Sequence, residues 1–157
     1  MSNSDFDAAL GCVPSGIFIL TAGTGDRATG MLSSWVMQAG FEPPTVSVAL
    51  KLGRYVCDWI TDGEPFVLNI VAEKQFELLK HFGKGFEPGA AVFDGLSIRH
   101  CARGVPILQD CLGHLECEPT AHIDSGDHRI FLARVVRGAI NGEGAPMVHV
   151  RKSGGGY

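Results

Sequence analysis

The sequence predicts a mainly β fold, a closed antiparallel barrel with short helices at its periphery. Residues 45–51 alternate apolar side chains with small or polar ones, which is the pattern of a half-buried strand. Residues 16–22 form a continuous apolar run that is short enough to be a buried strand. Residues 111–123 and 128–138 are two long strand-like stretches joined by the turn sequence DSGD. Strands therefore dominate, and a barrel is an architecture that closes such antiparallel strands.

The chain is predicted to start with a short helix over residues 4–12. Ser4 stands where an N-cap hydroxyl belongs, with Asp7 three residues later. Phe6, Ala9 and Leu10 are expected to face inward from this helix.

The glycine-rich stretch at residues 23–30 has two interpretations. Gly23, Gly25 and Ala28 match the dinucleotide-binding pattern G-x-G-x-x-A after a strand. That pattern functions only when a helix follows, because helix amides meet the pyrophosphate. The segment MLSSWVMQAG that follows is short, β-like and ended by a double proline. A turn between two strands is therefore favoured, with the glycines supplying positive φ angles.

The central prediction concerns two strands, residues 31–39 and 45–51, joined at Pro43 and Pro44. Proline lacks the N–H that a strand ladder needs, so the pair forces a connection. The first strand carries hydroxyls and the second ends at Lys51. Together they form a plausible cradle for a flat, phosphorylated ligand.

The remaining elements follow from shorter patterns. A short helix is predicted at residues 55–61, a strand at 65–71, and a helix at 73–82 with Phe76, Leu79 and Phe82 at three-residue steps. A long glycine-rich loop follows at residues 83–95, and loops of that length are often functional. A last strand is predicted at residues 147–151, followed by a mobile tail with the sequence SGGGY.

Composition limits the possible functions. The chain has 157 residues, enough for one domain with its own core, and a net charge of -4. The acidic balance and the lack of a basic run argue against nucleic acid or an anionic membrane as partners. No apolar run approaches the ~18 residues of a membrane span, and the acidic N-terminus does not resemble a signal peptide, so a cytoplasmic location is expected. An anion would have to be met by single bases, and the candidates are Lys51, Arg54, Lys84 and Arg129.

No metal site is predicted. The five cysteines form no C-x-x-C pair and indicate reduced, mostly buried thiols: Cys12, Cys57, Cys101, Cys111 and Cys117. The segment His114-x-Glu116 matches part of a zinc deaminase motif, but the P-C-x-x-C that should follow is missing.

Five stretches in the right order resemble the flavin reductase-like family of FMN-binding split barrels. They are GMLSSW, PPTVSVALK, PFVLNIV, EKQFELLKHFG and GDHRIFLARV, which together cover most of the chain. The amino-acid sequence of these stretches is most similar to that of the flavin reductase domain appended to some flavodiiron proteins. The resemblance implies a six-stranded antiparallel Greek-key split barrel over residues 1–157 as a single domain. It also implies a homodimer with flavin at the subunit interface.

The resemblance also assigns site residues. Met31, Leu32, Ser33, Ser34 and Trp35 would contact the flavin ring and ribityl chain, and Leu50, Lys51 and Arg54 would lie beside the cofactor and its phosphate. Phe82 and Lys84 would close over the flavin, and His128 would lie where nicotinamide stacks, as the catalytic residue. Without the resemblance, these residues have ordinary structural interpretations. Ser33 and Ser34 would be strand residues, and Lys51 and Arg54 solvated surface bases. Phe82 would be a core residue and His128 a turn residue. Trp35 replaces a smaller residue of many relatives and would narrow the nicotinamide pocket.

The function that the resemblance implies is an FMN-dependent NAD(P)H:flavin oxidoreductase, with FAD as a possible alternative flavin. Hydride would pass from nicotinamide to flavin N5, and electrons onward to free flavin, oxygen, a ferric complex or a partner protein. One alternative is a flavoredoxin-like electron carrier that holds FMN but has little direct NAD(P)H activity. Another is a barrel that binds no flavin and serves as an interaction module. No ribose-reading motif distinguishes NADH from NADPH.

Overall fold

The computed structural model describes residues 3–156. The helices are α1 (Asn3–Gly11), α2 (Tyr55–Thr61) and α3 (Phe76–Phe82). The strands are β1 (Ser15–Gly16), β2 (Phe18–Ala22), β3 (Thr29–Ser33), β4 (Val36–Phe41), β5 (Pro44–Lys51), β6 (Phe66–Ile70), β7 (Ile98–His100), β8 (Pro106–Leu108), β9 (Gly113–Ser125), β10 (His128–Ile140) and β11 (Val148–His149).

Seven strands form one antiparallel sheet in the order β3-β2-β6-β9-β10-β5-β4. Its two outermost strands, β3 and β4, are consecutive in the chain and are separated only by Ser34 and Trp35. The sheet therefore closes on itself through one continuous stretch of backbone. The predicted mainly β, antiparallel barrel is confirmed.

The predicted strand at residues 31–39 is two strands rather than one. Ser33 of β3 is the register partner of Phe18 on β2, whereas Val36 of β4 is the partner of Val48 on β5. The chain changes partner between them because closing the barrel requires it to leave one edge and join the other. Counted as one interrupted strand, this stretch gives the six barrel strands that were expected.

The barrel interior is filled by apolar residues from alternate strand positions. On β5, Val46, Val48 and Leu50 are all buried, which confirms the predicted alternation. Phe66 and Phe131 are among the largest side chains that are fully buried. A second apolar cluster lies between the barrel, α3 and the loop after it. The second cluster packs α3 against the barrel.

Buried polar groups attach the β7–β8 hairpin to the barrel. The Asn69 Nδ2 donates to the Ile19 carbonyl at 2.9 Å, and its Oδ1 accepts from the Leu108 amide at 2.9 Å. The Thr21 hydroxyl donates to the Pro106 carbonyl at 2.6 Å. These buried groups therefore have partners, which offsets the cost of removing them from water.

The predicted β9–β10 hairpin is confirmed, but β9 starts and ends two residues later than predicted and β10 ends two residues later. Three predictions about the periphery are wrong. Helix α1 begins at Asn3, so Ser4 lies inside the helix, and Phe6, Ala9 and Leu10 are exposed. Its contacts are made instead with the C-terminal segment, where the Gly154 amide donates to the Asp7 carbonyl at 2.6 Å. The tail predicted to be mobile is therefore docked over residues 153–156, and Tyr157 lies outside the described residues.

Helix α3 starts three residues later than predicted, and Phe76 is 65% exposed. The Gln75 side chain accepts from the Ala72 amide at 2.8 Å and donates to the Asp110 carbonyl at 2.6 Å. These bonds hold residues 72–75 in a turn, which delays the helix. The last strand is also shorter than predicted, with only Val148 and His149 paired to β1.

The cysteines of the described chain are all free thiols. Cys57, Cys111 and Cys117 are buried, and burial raises the pKa of Cys111 and of Cys117 to about 12. Those two thiols are protonated at neutral pH and are poor nucleophiles.

Within residues 3–156, no helix has the length and apolar character to cross a bilayer. The same residues contain no cluster of three or more histidine, cysteine, aspartate or glutamate side chains arranged to hold a metal ion.

Candidate functional site

An open cleft lies where β3 gives way to β4. We call it the barrel cleft; its empty volume, including solvent at its mouth, is about 680 Å³. The residues that line it are Met31, Leu32, Ser33, Ser34, Trp35, Ala49, Leu50, Lys51, Arg54, Phe82 and Gly83. Nine of the ten residues expected to bind the cofactor are in this set.

The missing residue is Lys84, which is exposed and lies outside the cleft lining. Arg129, a candidate for meeting an anion, is engaged elsewhere. Its guanidinium donates to both Asp124 carboxylate oxygens, at 2.6 and 3.1 Å, and to the Thr61 hydroxyl at 2.9 Å. The ion pair raises the pKa of Arg129 and lowers the pKa of Asp124.

Ser33 presents a buried hydroxyl in the wall of the cleft. Among the buried side-chain oxygen and nitrogen atoms of the described residues, the Ser33 Oγ is the one without a hydrogen-bond partner. Buried polar atoms almost always have a partner, because leaving one unsatisfied costs about 1–3 kcal/mol. Because Ser33 also lines the cleft, its hydroxyl is a candidate contact for a ligand bound there.

Two bases stand at the cleft without an acidic partner. Lys51 is the last residue of β5, Arg54 directly precedes α2, and both are exposed. Neither forms an ion pair with a carboxylate of residues 3–156. Their charges are therefore available to an anionic group at the edge of the cleft.

Phe82 is both core and cleft wall. It is 1% exposed and packs edge-on against Phe86, with ring centroids 5.9 Å apart. A Cβ added to Gly30 on β3 would lie 2.7 Å from Phe82 Cε1. The absence of a side chain at residue 30 therefore lets α3 approach the barrel and bring Phe82 to the cleft.

His128 lies in a neighbouring pocket, not in the barrel cleft. We call this the tail pocket; its empty volume is about 920 Å³. Its lining residues are Trp35, Ala49, Lys51, Ser125, Asp127, His128, Ile130, Arg151, Gly154, Gly155 and Gly156. His128 is 7% exposed, is the register partner of Lys51, and its Nδ1 lies 2.7 Å from Asp127 Oδ1. This hydrogen bond lowers the pKa of the Asp127 carboxyl.

Trp35 is the partition between the two pockets. It lines both of them together with Ala49 and Lys51. Its ring lies 4.7 Å from the His128 ring, centroid to centroid, at an interplanar angle of 43°. The Arg151 guanidinium lies 5.3 Å from the same indole centroid. Trp35 thus stands between the cleft and the pocket that contains His128.

A third, apolar groove adjoins this partition. It includes Trp35, Val36 and the strongly exposed side chains of Val13, Met37 and Val148. Large apolar side chains clustered at the surface are typical of an interaction site.

Sequence reasoning missed Ala49, Gly83, Arg151 and residues 154–156. Ala49 could have been predicted from the sequence, because it neighbours Leu50 and Lys51 on a strand whose alternation was recognised. Arg151 and the glycines gave no local signal, since their position depends on the docking of the chain end against α1.

The sequence-family model of the flavin reductase like domain matches residues 10–155 of this chain. Two curated relatives are Diflavin flavoprotein A 1 of Synechocystis sp. and Putative diflavin flavoprotein A 3 of Nostoc sp., 40% and 39% identical over 99% and 98% of this chain. The chain spans only 27% of the length of each of these relatives.

Solved structures share the fold. The Streptomyces globisporus NADH:FAD oxidoreductase SgcE6 superposes with a TM-score of 0.83 at 23% identity, covering 91% of this chain and 85% of that one. The styrene monooxygenase flavin reductase of Pseudomonas putida has a TM-score of 0.79 at 27% identity, covering 93% and 92%. The resemblance inferred from the strand motifs is confirmed, and the chain belongs to the family of flavin reductase like domains.

Proposed function

We propose that the barrel cleft binds FMN and that the chain is an NAD(P)H-dependent flavin reductase. The observation that carries the proposal is the buried, unsatisfied Ser33 hydroxyl in the wall of a cleft whose edge holds two unpaired bases. A flavin nucleotide matches this arrangement, because it combines a flat ring system, hydroxyls and a phosphate dianion. FAD is the second candidate, since the cleft is open to solvent.

The residues present fit this cofactor. Ser33 and Ser34 would hydrogen-bond to the ring or ribityl chain, Leu32 and Leu50 would supply apolar contacts, and Lys51 and Arg54 would bind the phosphate. A bound flavin supplies the redox chemistry, by accepting a hydride from a nicotinamide. The protein's part is to hold the two rings in contact and to keep water from between them.

The tail pocket is the proposed site of the nicotinamide nucleotide. His128 forms its wall, its Nδ1 is held by Asp127, and its ring contacts Trp35. The imidazole Nε2 would hydrogen-bond the carboxamide of NADH or NADPH. The two pockets share Trp35, Ala49 and Lys51 in their walls, so a donor in one would lie next to an acceptor in the other.

The partners are proposed from the surface and the relatives. The apolar groove with Val13, Met37 and Val148 at its wall is the proposed homodimer interface. The relatives named diflavin flavoprotein are nearly four times as long as this chain. An electron-accepting protein is therefore proposed as the onward partner, with free flavin, oxygen and ferric complexes as other acceptors.

A second candidate function is an FMN-binding electron carrier with little direct NAD(P)H activity. The position of Trp35 between the cleft and His128 favours it, because the indole occupies the path along which nicotinamide and flavin rings would approach. Hydride transfer needs the reacting atoms about 3–3.5 Å apart, so the partition would slow it.

The test is the visible absorption spectrum of the purified protein with FMN, recorded before and after anaerobic addition of NADH or NADPH. Bound flavin that bleaches within the dead time of manual mixing supports the reductase. Bound flavin that bleaches only with dithionite supports the carrier. Failure to retain any flavin at micromolar protein overturns both functions.

A further inference from the structure

Arg151 reaches the tail pocket from the C-terminal segment and is held there by several contacts. Its amide donates to the Gly11 carbonyl at 3.0 Å, and its Nη1 donates to the Gly156 carbonyl at 2.9 Å. Its guanidinium faces the Trp35 ring at 5.3 Å. The side chain is partly buried, so the charge lies at the pocket wall rather than extended into solvent.

The pocket around it has an excess of positive charge. The bases Lys51 and Arg151 line it, against one carboxylate, Asp127, which already accepts a hydrogen bond from His128. The Asp7 carboxylate lies against Gly155, on the α1 side of the tail. Arg151 forms no ion pair with any carboxylate of residues 3–156. Most of its N–H groups are therefore available to an anion that enters the pocket.

Phosphate is the anion that this chemistry suits. A guanidinium binds phosphate oxygens through two parallel hydrogen bonds, and these charge-assisted bonds are stronger than neutral ones. The pocket has a cavity volume of about 450 Å³, which lies in the range of small-molecule binding sites. A dinucleotide whose nicotinamide lies at Trp35, next to the barrel cleft, would carry its phosphates into the same pocket as Arg151.

We propose that Arg151 is a specificity-determining residue that binds the phosphates of the nicotinamide dinucleotide, so that the docked C-terminal segment selects phosphate-bearing hydride donors. The proposal rests on the proposed reductase function. It adds a residue and a segment that the resemblance to flavin reductases did not single out. The same guanidinium could bind the pyrophosphate of NADH or the extra 2′-phosphate of NADPH. The experiment below distinguishes these two groups.

The first test compares two hydride donors by anaerobic stopped-flow reduction of the FMN-loaded protein. One donor is NADH and the other is 1-benzyl-1,4-dihydronicotinamide, which has the reactive ring but no phosphate. Arg151→Met keeps the apolar stem and removes the charge; Arg137→Met is the control, because Arg137 is exposed on β10 and lines neither pocket. We expect Arg151→Met to weaken NADH binding roughly ten- to a hundredfold, the range for a charge-assisted bond. The rate with the phosphate-free donor should stay within about twofold.

The outcomes separate the roles. Equal loss with both donors would show that Arg151 only supports the structure, and an unchanged NADH affinity would show that it does not contact phosphate; either result overturns the proposal. A larger loss with NADPH than with NADH assigns Arg151 to the 2′-phosphate, and equal losses assign it to the pyrophosphate. Arg151→Lys should recover part of the affinity, because lysine keeps the positive charge. The recovery should be incomplete, because an ammonium lacks the planar fork of the guanidinium.

A binding measurement keeps this test independent of the reductase function. Trp35 and Trp59 are the tryptophans of the chain, and Trp59 stacks with Arg27 at 3.7 Å. In a Trp59→Phe background, titration with NAD⁺ should change the fluorescence of Trp35, and Arg151→Met should shift the midpoint by the same factor as for NADH. If NAD⁺ gives this response while no donor reduces the flavin, the reductase function fails and the Arg151 site stands. If NAD⁺ gives no response, the Arg151 proposal fails whether or not the flavin is reduced.

Discussion

At the scale of single residues, Ser33 combines two properties that oppose each other in the ligand-free chain. Its position on β3 is required by the barrel, and its hydroxyl has no partner there. An alanine at this position would fit the strand and remove the unsatisfied group. The hydroxyl therefore lowers the stability of the empty protein, which is a common feature of binding sites.

Ser33→Ala should stabilise the ligand-free protein by about 1 kcal/mol, because a buried unsatisfied hydroxyl is removed, and weaken FMN binding by about 0.5–1.5 kcal/mol. Urea unfolding and flavin fluorescence titration measure the two quantities. Ser97→Ala is the control, since Ser97 is exposed and lines neither the barrel cleft, the tail pocket nor the apolar groove. A variant with lower stability and unchanged FMN affinity would contradict the assignment.

Lys51→Ala combined with Arg54→Ala should weaken FMN binding by roughly 2–4 kcal/mol, because charge-assisted hydrogen bonds to the phosphate are lost. The comparison that isolates the phosphate is riboflavin, whose affinity should change little. Equal weakening for FMN and riboflavin would place the two bases against the ring instead.

His128→Ala should raise the KM for the nicotinamide about tenfold and leave the FMN affinity unchanged, because His128 lines the tail pocket and not the barrel cleft. Steady-state kinetics at saturating FMN measures the first quantity, and titration measures the second. A normal KM would remove His128 from the donor site.

At the scale of elements, sequence patterns predicted the parts of the fold whose partners are determined locally. Strand alternation on β5 and the DSGD turn between β9 and β10 required no knowledge of distant residues. The break between β3 and β4 could not be seen in the same way, because it results from pairing with β2 on one side and β5 on the other.

The site followed the same division. The family motifs predicted nine of the residues that line the barrel cleft, while Arg151 and residues 154–156 enter the tail pocket through contacts with α1 that no motif records. The outward-facing side chains of α1 were mispredicted for the same reason. Phe6 and Leu10 have helical spacing, but the chain end packs against the helix through backbone and glycine contacts.

The packing of α3 on β3 depends on Gly30. Gly30→Ala should destabilise the fold by about 1–3 kcal/mol, because the new Cβ would overlap the buried Phe82 ring. The control is Gly142→Ala, at an exposed position with nothing within 4 Å of an added Cβ. Unfolding by urea gives both values. Similar stabilities for the two variants would show that α3 can shift without cost.

At the scale of the whole molecule, the apolar groove beside Trp35 is one apolar surface that the fold leaves uncovered. Met37 on β4 is 67% exposed, and Val148 on β11 is 66% exposed. Light scattering after gel filtration should give twice the chain mass of 16.7 kDa. Met37→Asp should shift the protein to monomer, because a charge would be buried at the interface.

Phe76→Asp is the matched control for this experiment. Phe76 is 65% exposed, similar to Met37, but it lies at the start of α3 and outside the groove. It should leave the dimer intact. A monomeric wild-type protein, or equal dissociation by both substitutions, would contradict the proposed interface.

The barrel cleft exists only where the sheet closes on itself, between β3 and β4. Any opening of that seam separates Ser33 from Ala49 and Leu50 and takes the binding walls apart. A ligand held across the seam is therefore linked to cooperative folding and stabilises the closed barrel by RT ln(1 + [L]/Kd), about 2.7 kcal/mol at a hundredfold excess over Kd. The hydrogen-exchange protection of β3, β4 and β5 should consequently rise with flavin concentration, because bound flavin would stabilise the closed barrel.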